Sequence, residues 1–574
     1  MNKHTAALLE AHFDTTFAAP EGVQKLRELI LTLAMQGKLA PQNTNDQPAS
    51  ELLEEIKVEK KRLAKEGKIK TPKQLPPVMA EQIPYALPQG WEWIRLGSIG
   101  NVFNGNSINA SEKDAKYAGA KGLPYIATKD VGYGLDPLDY DNGICIPLNE
   151  EKFRVAHAGA VLICAEGGSA GKKCGLTERD ICFGNKLFAN ELFGKIPSRF
   201  ILFAYLSPFF AKSFADSMTG IIGGVSIAKF VEILIPLPPL AEQNRIVAKI
   251  DELMARCDAL EKLRTDHEEK RLAVHSAAVR QLLNIAEPDE HQRAQAFLAE
   301  HFGELYTVKE SVAELRKAIL QLAVMGKLIP QDPNDQPTCE LLRGIEFEKK
   351  RLVKIGKIKA PKSLRPIPEK EMPYPLPIGW LWVQLQDLIV FGPTNGFSPK
   401  AVDYETNVRS LTLSATTSGK FRGEFYKYLD IEVPSESDLW LQDGDILIQR
   451  GNTIEYVGIP AIYRGEPNQY IYPDLMMKIR LSDSVDKNYV LYAMSSDSCR
   501  DYLRKNASGT SGTMPKINQG ALNSLPIPLP PLNLQKKIVS KIDQLMDLCE
   551  SLEEQIYSAT TQKTLLLNAV MAQM

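Results

Sequence analysis

Apolar residues recur at helical spacing early in the chain, at Leu26, Ile30 and Leu33, and the same spacing returns at Leu315, Ile319 and Leu322. Each set predicts an amphipathic helix, and Gly37 and Gly326 follow as a glycine does just past a helix C-cap. A polar turn rich in Asn, Asp and Pro comes next, then a lysine-rich helix starting near Glu51 or Glu340. Glycines and prolines over 67–88 and 356–377 predict an extended lead-in. Residues 91–96 and 380–385 alternate as strands do. Beyond them, strands are expected within 159–164, 445–449 and 458–463, and helices over 199–218 and 487–506. Pro-rich segments at 235–240 and 525–532 are expected to stop a sheet and start a helix, because proline already holds a helical φ. The helices that follow carry a 4-3-4-3 apolar seam: Ile246, Ile250, Leu253, Cys257 and Leu260 in one, Ile538, Ile542, Leu545, Cys549, Leu552 and Ile556 in the other. A coiled-coil seam fits this pattern, and so does a bundle helix against a globular core. The first helix is expected to run to about Asn284, about 65 Å at 1.5 Å per residue.

The doubling is more than a matter of period. Residues 26–96 reappear without a gap at 315–385, a shift of 289 as between Gly37 and Gly326. Gly37-Lys38-Leu39, Asn45-Asp46-Gln47-Pro48 and Glu59-Lys60-Lys61-Arg62-Leu63 match Gly326-Lys327-Leu328, Asn334-Asp335-Gln336-Pro337 and Glu348-Lys349-Lys350-Arg351-Leu352. A second pair follows at a shift of 292: Pro236-Leu237-Pro238-Pro239-Leu240 and Pro528-Leu529-Pro530-Pro531-Leu532. Between the matching blocks, 97–232 and 386–524 hardly resemble each other. The expected architecture is mixed α/β: two globular α/β domains joined by long antiparallel coiled-coil helices, with an internal pseudo-twofold duplication. The expected divisions are a helical region over 1–90, a first recognition domain over 91–235, a central helical region over 236–379, a second domain over 380–526 and a last helix over 527–574.

Composition narrows the function. A net charge of −2 on 574 residues means that any nucleic-acid surface is local. Local excess exists: residues 57–73 hold eight Lys/Arg against two Glu, and 349–362 hold seven and no acid. A solvated face, phosphate contact and docking of an acidic partner all fit that excess. The eight cysteines form no CxxC pair or zinc spacing, so core thiols are expected and no metal. No basic-plus-apolar leader opens the chain, and no apolar run approaches the ~20 residues of a membrane span. A cytoplasmic protein with no membrane partner is the expectation. Gly167 to Lys173 is faintly like a phosphate loop, but Glu166 and Lys173 stand where the first glycine and the Ser/Thr belong. Neither a methyltransferase motif nor a glycine motif placed for S-adenosylmethionine is present. The chain is therefore expected to be non-catalytic and to bind no cofactor itself.

What the divergent domains do offer is hydrogen-bonding and cationic side chains on glycine-flanked loops, suited to base edges and phosphates. The candidates for DNA contact are Asn104, Asn106, Ser107, Lys129, Ser169, Lys172, Lys173 and Lys186 in the first domain. In the second they are Thr394, Asn395, Thr416, Thr417, Lys420, Arg422, Arg450, Asn452, Thr453, Thr510 and Lys516. Two of the loops occupy similar places, after Val161-Leu162-Ile163 and after Ile446-Leu447-Ile448.

Taken with Leu33 to Gln42, Leu322 to Gln331, Pro88-Gln89-Gly90-Trp91-Glu92-Trp93 and the helix starts with Gln243 and Gln535, the chain resembles the specificity subunit of type I restriction-modification systems. The resemblance implies two target-recognition domains, each reading one half of a split, asymmetric site on double-stranded DNA. It implies two modification subunits that methylate adenine with S-adenosylmethionine, and restriction subunits that use ATP and Mg2+. A protein-binding coiled-coil scaffold without specific DNA binding is the alternative. If the long helices set the spacer between half-sites, at about 3.4 Å per base pair, inserting a few residues within 246–284 should change the spacer and leave both half-sites intact. Mapping of methylated adenine that finds an unchanged spacer rejects this.

Overall fold

The computed structural model describes residues 13–69, 74–220, 223–284, 288–332, 335–361, 363–509 and 514–572. Thr510, among the DNA-contact candidates, and Asn334, in the second polar turn, lie outside the described residues. Contacts divide the chain into two units: the described residues of Met1–Asp266 with Thr560–Met574, and those of His267–Ala559.

In the first unit, α1 (Gly22–Met35) and α2 (Ala49–Lys65) precede a reader domain. Gly37 follows α1 with φ +67°, and its amide and that of Lys38 close the helix on Ala34 and Leu33. Glycine is required there twice over, since a Cβ would also lie 2.4 Å from Cγ of Pro88. Gly326 repeats both features, with φ +69° and Pro377 at 2.4 Å. The shared Gly-Lys-Leu and Pro-x-Gly-Trp motifs thus meet each other in space.

The reader opens with β1 (Glu92–Arg95) and β2 (Gly100–Asn104). It continues through β3 (Leu123–Ile126), β4 (Cys145–Ile146), β5 (Val155–Ala156), β6 (Val161–Cys164), β7 (Cys174–Leu176), β8 (Ile181–Phe183) and β9 (Leu187–Leu192). Then come α3 (Ser198–Leu206), α4 (Pro208–Asp216), β10 (Leu234–Leu237) and the long α5 (Leu240–Leu283). One four-stranded sheet has the order β2-β9-β6-β7 and a second the order β4-β3-β8-β5. The helix expected over 199–218 is two helices: Ser207 is extended, its hydroxyl caps the Phe210 amide, and Pro208 begins the next helix. The segment at 235–240 stops a sheet and starts a helix as expected, since β10 ends at Leu237 and α5 begins at Leu240. Pro236, however, lies inside β10, opposite Trp93 of β1. A two-stranded ladder tolerates proline because the missing donor can face away from the partner.

The second unit repeats this order with α6 (Lys309–Val324), α7 (Thr338–Lys354), β11 (Leu381–Gln384), β12 (Ile389–Asn395), β13 (Val408–Leu411), β14 (Tyr426–Leu429), β15 (Ile446–Gln449), β16 (Pro460–Ile462) and β17 (Met476–Leu481). It closes with α8 (Lys487–Ser495), α9 (Asp497–Lys505), β18 (Pro526–Leu529) and α10 (Leu532–Ala572). Its four-stranded sheet runs β12-β17-β15-β16, the same order by position as in the first reader, and β13 pairs with β14. Two unlike sequences thus share one central sheet order, while the second sheet of the first reader, β4-β3-β8-β5, has only the β13–β14 pair in its place. The helix expected over 487–506 is also two, broken at Ser496; Oγ of Ser207 and of Ser496 each donate to an alanine carbonyl, Ala204 and Ala493, at 2.7 Å.

The apolar seam residues of the long helices enter the core of the unit in which each helix starts. Ile246, Ile250 and Cys257 are buried in one cluster with Val23 and Ile30 of α1. Ile538, Ile542 and Cys549 are buried in one with Val312 and Ile319 of α6. Arg27 of α1 adds contacts of 2.7 Å to Asp258 and Glu261 of α5. Gln243 and Gln535, both fully buried, donate from Nε2 to the Pro238 and Pro530 carbonyls at 2.8 Å. That bond folds each Pro-rich exit onto the first turn of its helix. Oε1 of Gln535 also accepts from the Asp486 amide at 2.9 Å, while Oε1 of Gln243 has no protein partner. Because an unpaired buried amide costs about 1–3 kcal/mol, Gln535→Leu should lower the denaturant midpoint of the chain more than Gln243→Leu does. Equal effects in equilibrium unfolding would show that the Asp486 bond contributes nothing.

Candidate nucleic-acid interface

In each reader the sheet register brings loops distant in sequence to one rim. In the first, β2 and β6 end where β9 begins, with Asn104 opposite Phe188 and Cys164 opposite Leu187. Strand β3 runs parallel to β8 and ends beside it. Main-chain bonds then tie the loops: the Asn106 amide to the Phe183 carbonyl (2.8 Å), Gly184 to Ile126 (2.9 Å) and Ala165 to Lys186 (2.8 Å). Thr219 and Gly224, bridged to each other, lie beside the rim, which is tied there through the Gly167 amide on the Gly223 carbonyl and the Val225 amide on the Ala165 carbonyl, both 2.9 Å. A cavity of about 350 Å3 opens there between Glu166, Asn185, Thr219 and Gly224.

The second reader builds the same rim from different residues. The Phe397 amide meets the Tyr472 carbonyl (2.9 Å), Arg450 meets Leu475 (2.8 Å) and Ile517 meets Arg450 (2.9 Å). An isolated bridge pairs Gly451 with Lys516, as Glu166 pairs with Gly224. Each first strand ends in the same four-residue pattern, Asn104-Gly105-Asn106-Ser107 and Asn395-Gly396-Phe397-Ser398. The glycine is forced: a Cβ would lie 1.9 Å from the Phe183 carbonyl oxygen in one domain and 2.0 Å from that of Tyr472 in the other.

All eight first-domain candidates lie on or beside this rim. Ser107, Lys129, Lys172 and Lys186 are exposed, Lys186 3.6 Å from Glu166 and Lys129 3.6 Å from buried Asp130. Lys173 is half-buried over the Tyr133 ring and donates to the Thr128 carbonyl at 3.3 Å. The amide oxygens of Asn104 and Asn106 are occupied by Arg154, at 2.7 and 2.9 Å, which shapes the turn. The carbonyl of half-buried Ser169 accepts from the Lys172 amide. The loop at 167–173 that distantly suggested a phosphate loop is a hairpin from β6 to β7, with strands on both sides.

In the second domain Asn395, Thr453 and Lys516 are exposed on the rim, with Arg450 and Asn452 half-buried. Thr394 shares a 2.8 Å hydrogen bond with the Tyr472 hydroxyl. Thr416 is corrected: it is fully buried, and with Thr417 it receives Nε2 of Gln449 at 3.1 Å, so it supports the rim from within. Lys420 pairs with Glu550 of α10 at 2.9 Å, and Arg422 with Glu424 at 2.7 Å. These pairs are exposed and hold their cations weakly. The sequence reading passed over Gly105, Gly396 and Ser398, whose hydroxyl donates to Asp474 at 2.6 Å. The recurring Asn-Gly-x-Ser was the available signal. It also passed over Arg409, stacked against Tyr426 and Tyr428 on the β13–β14 ribbon.

The lysine-rich helices hold the other end of each sheet. Nζ of Lys60 reaches the Gly97 carbonyl (2.9 Å), and Nζ of Lys349 that of Gln386 (2.7 Å), just ahead of β2 and β12. Burial pushes both ammonium groups below the usual lysine range. Among the described residues no cluster of three or more His, Cys, Asp or Glu is placed to hold a metal, and no helix is long and apolar enough to cross a membrane. All eight cysteines are free thiols, six of them buried.

A family model, the type I restriction modification DNA specificity domain, matches residues 88–268 and 377–562. This chain belongs to the type I restriction-modification specificity-subunit family. It is 32% identical over 563 residues to the EcoEI specificity subunit of Escherichia coli, spanning 96% of this chain and 93% of that relative. It is 33% identical over 561 residues to the EcoAI specificity subunit of Escherichia coli, with the same coverage. A solved chain from work on complex assembly and conformational transition of the type I R-M system is 17% identical, with a TM-score of 0.48 over 85% of this chain and 98% of that one. The repeated specificity domain and the long helices agree with the expected mixed α/β architecture.

Adding a methyl group at Gly105 or Gly396 should force the rim apart. Gly105→Ala and Gly396→Ala are expected to destabilise the chain by about 1–3 kcal/mol, as overpacking does. Gly168→Ala, on the same rim with open space around it, should stay within about 0.5 kcal/mol of the unaltered chain. Equilibrium denaturation that ranks all three alike contradicts this account of the turn.

Proposed function

We infer that this chain is the sequence reader of a type I restriction-modification complex and carries out no covalent step itself. Each loop rim contacts one half of a bipartite, asymmetric target on double-stranded DNA. The observation that carries this reading is one rim built twice with different side chains: the main-chain ties recur, whereas one rim carries Lys129, Lys172, Lys173 and Lys186 and the other carries Arg450, Asn452, Thr453 and Lys516. A common scaffold fixes how a duplex is met, and unlike side chains give unlike readouts.

Two modification subunits assemble with the chain and methylate adenine, using S-adenosylmethionine that they bind. Restriction subunits add ATP- and Mg2+-dependent translocation and cleavage. Each long helix is continuous, α5 from Leu240 to Leu283 and α10 from Leu532 to Ala572. That continuity supports a role in setting the spacer.

Exchange of 97–232 for the matching segment of another family member should alter one half-site and leave the other unchanged. Whole-genome mapping of methylated adenine reads both. Change in both half-sites, or loss of sequence preference without loss of folding, would overturn the assignment.

A further inference from the structure

The second rim carries side chains that neither hydrogen bonding nor charge accounts for. Among the described residues of 386–524, the large apolar side chains that are exposed and have no hydroxyl are Phe397, Ile454 and Met514, at 50, 45 and 46%. All three lie on the loop rim. The Phe397 amide is tied to the Tyr472 carbonyl, and the Arg450 and Gly451 amides to the Leu475 carbonyl in the same connecting segment. Ile454 follows in the loop that Arg450 and Gly451 begin. Met514 packs beside Gly451, its Sδ 3.4 Å from where a Cβ would stand, and the Asn452 amide donates to the Pro515 carbonyl at 3.3 Å.

The first rim differs at two of these places. Phe397 is the third residue of the Asn-Gly-x-Ser turn, where the first reader has half-buried Asn106, its amide oxygen accepting from the Arg154 amide. Ile454 stands three residues past Gly451, which is bridged to Lys516; three residues past Glu166, bridged to Gly224, is half-buried Ser169. Half-buried polar side chains on one rim are exchanged for exposed apolar ones on the other.

Single apolar residues are ordinary on a protein surface, but three gathered on one rim form a patch. What covers it follows from the surface it shares with Arg450, Asn452, Thr453 and Lys516, which meets DNA in the reading above. An apolar side chain gains nothing from a phosphate. On the base edges, the 5-methyl of thymine is the one apolar substituent, and it faces the major groove. A wedge pushed between base pairs would be indifferent to that methyl group.

We propose that Phe397, Ile454 and Met514 read thymine in the half-site met by the second reader, through contact with its 5-methyl group in the major groove. This contact presupposes the DNA reading inferred above and gives it a base.

The test uses the full chain assembled with the modification subunits of its own system, on duplexes carrying the target found by mapping methylated adenine. Exchange of 97–232 identifies the half-site of the first reader, and the other half-site is then altered. Replacing thymine by uracil there removes the methyl group and leaves every hydrogen-bonding group in place. At one position or more, affinity should fall about fourfold per methyl, the value of burying one such group. F397N and I454S, which carry the first rim's residues, should bind the thymine duplex more weakly and lose the thymine–uracil difference at the position each contacts. Their response to uracil in the first half-site should match that of the unaltered chain, while denaturation shows the fold retained. Full affinity with every thymine of the second half-site replaced would overturn the proposal. A thymine–uracil ratio unchanged in F397N/I454S/M514S combined would overturn it too: weaker binding to both duplexes then marks a wedge, and unchanged binding a solvated patch. If the unaltered complex does not prefer the mapped target to an unrelated duplex, the DNA reading falls first and this contact with it.

Discussion

Each reader enters and leaves its frame through one short antiparallel ladder. Trp93 lies opposite Pro236 in β1–β10, and Trp382 opposite Pro528 in β11–β18. Because the ladder brings both ends of a reader together, everything between them is a closed insert whose interior can change without moving the frame. Trp91 and Trp380, next to these strands, are buried against the glycine turns that end α1 and α6. The two copies differ in detail. Nε1 of Trp91 donates to buried Glu242 at 2.9 Å, whereas Leu534 stands at the equivalent place and Nε1 of Trp380 has no protein partner. Burial raises the Glu242 carboxyl above its usual range. Packing, rather than that one polar bond, is what the two locks share.

The extended lead-in is fastened by the same strand. Arg95 donates to the carbonyls of Pro76 (2.6 Å), Glu232 (2.9 Å) and Pro77 (3.1 Å), and Gln384 donates to that of Arg365 at 2.8 Å. Chain that cannot form helix or sheet still needs partners for its carbonyls. Here a side chain from the ladder supplies them. The frame thus presents each sheet with one end held by lysine and the other open as a rim of loops. The near-neutral net charge conceals this polarity.

Much of this was legible in the residues. Helical period, the glycine caps, the tryptophan strands and the repeat all arise from local preference or from direct comparison within the chain. The strands within 159–164 and 445–449 appear as β6 and β15. The double helices broken at Ser207 and Ser496 were read as single, because their apolar content continues through a break that a hydroxyl and the local backbone make. The shared central sheet order of the readers was hidden as well. Sheet order constrains which positions are buried and which glycines touch a carbonyl, and many sequences satisfy that.

By itself, then, the sequence determined the duplicated frame, the long helices and the loops rich in amides and cations. Those features are local, or repeat within the chain. Tertiary structure alone decided which loops share a rim, that Thr416 is an internal support and Asn104 a turn-shaping residue, and that Lys60 is an anchor while Lys61 faces water. Such distinctions depend on strand register between residues as far apart as Asn104 and Phe188. Register is set by packing across the whole domain, which no local pattern records.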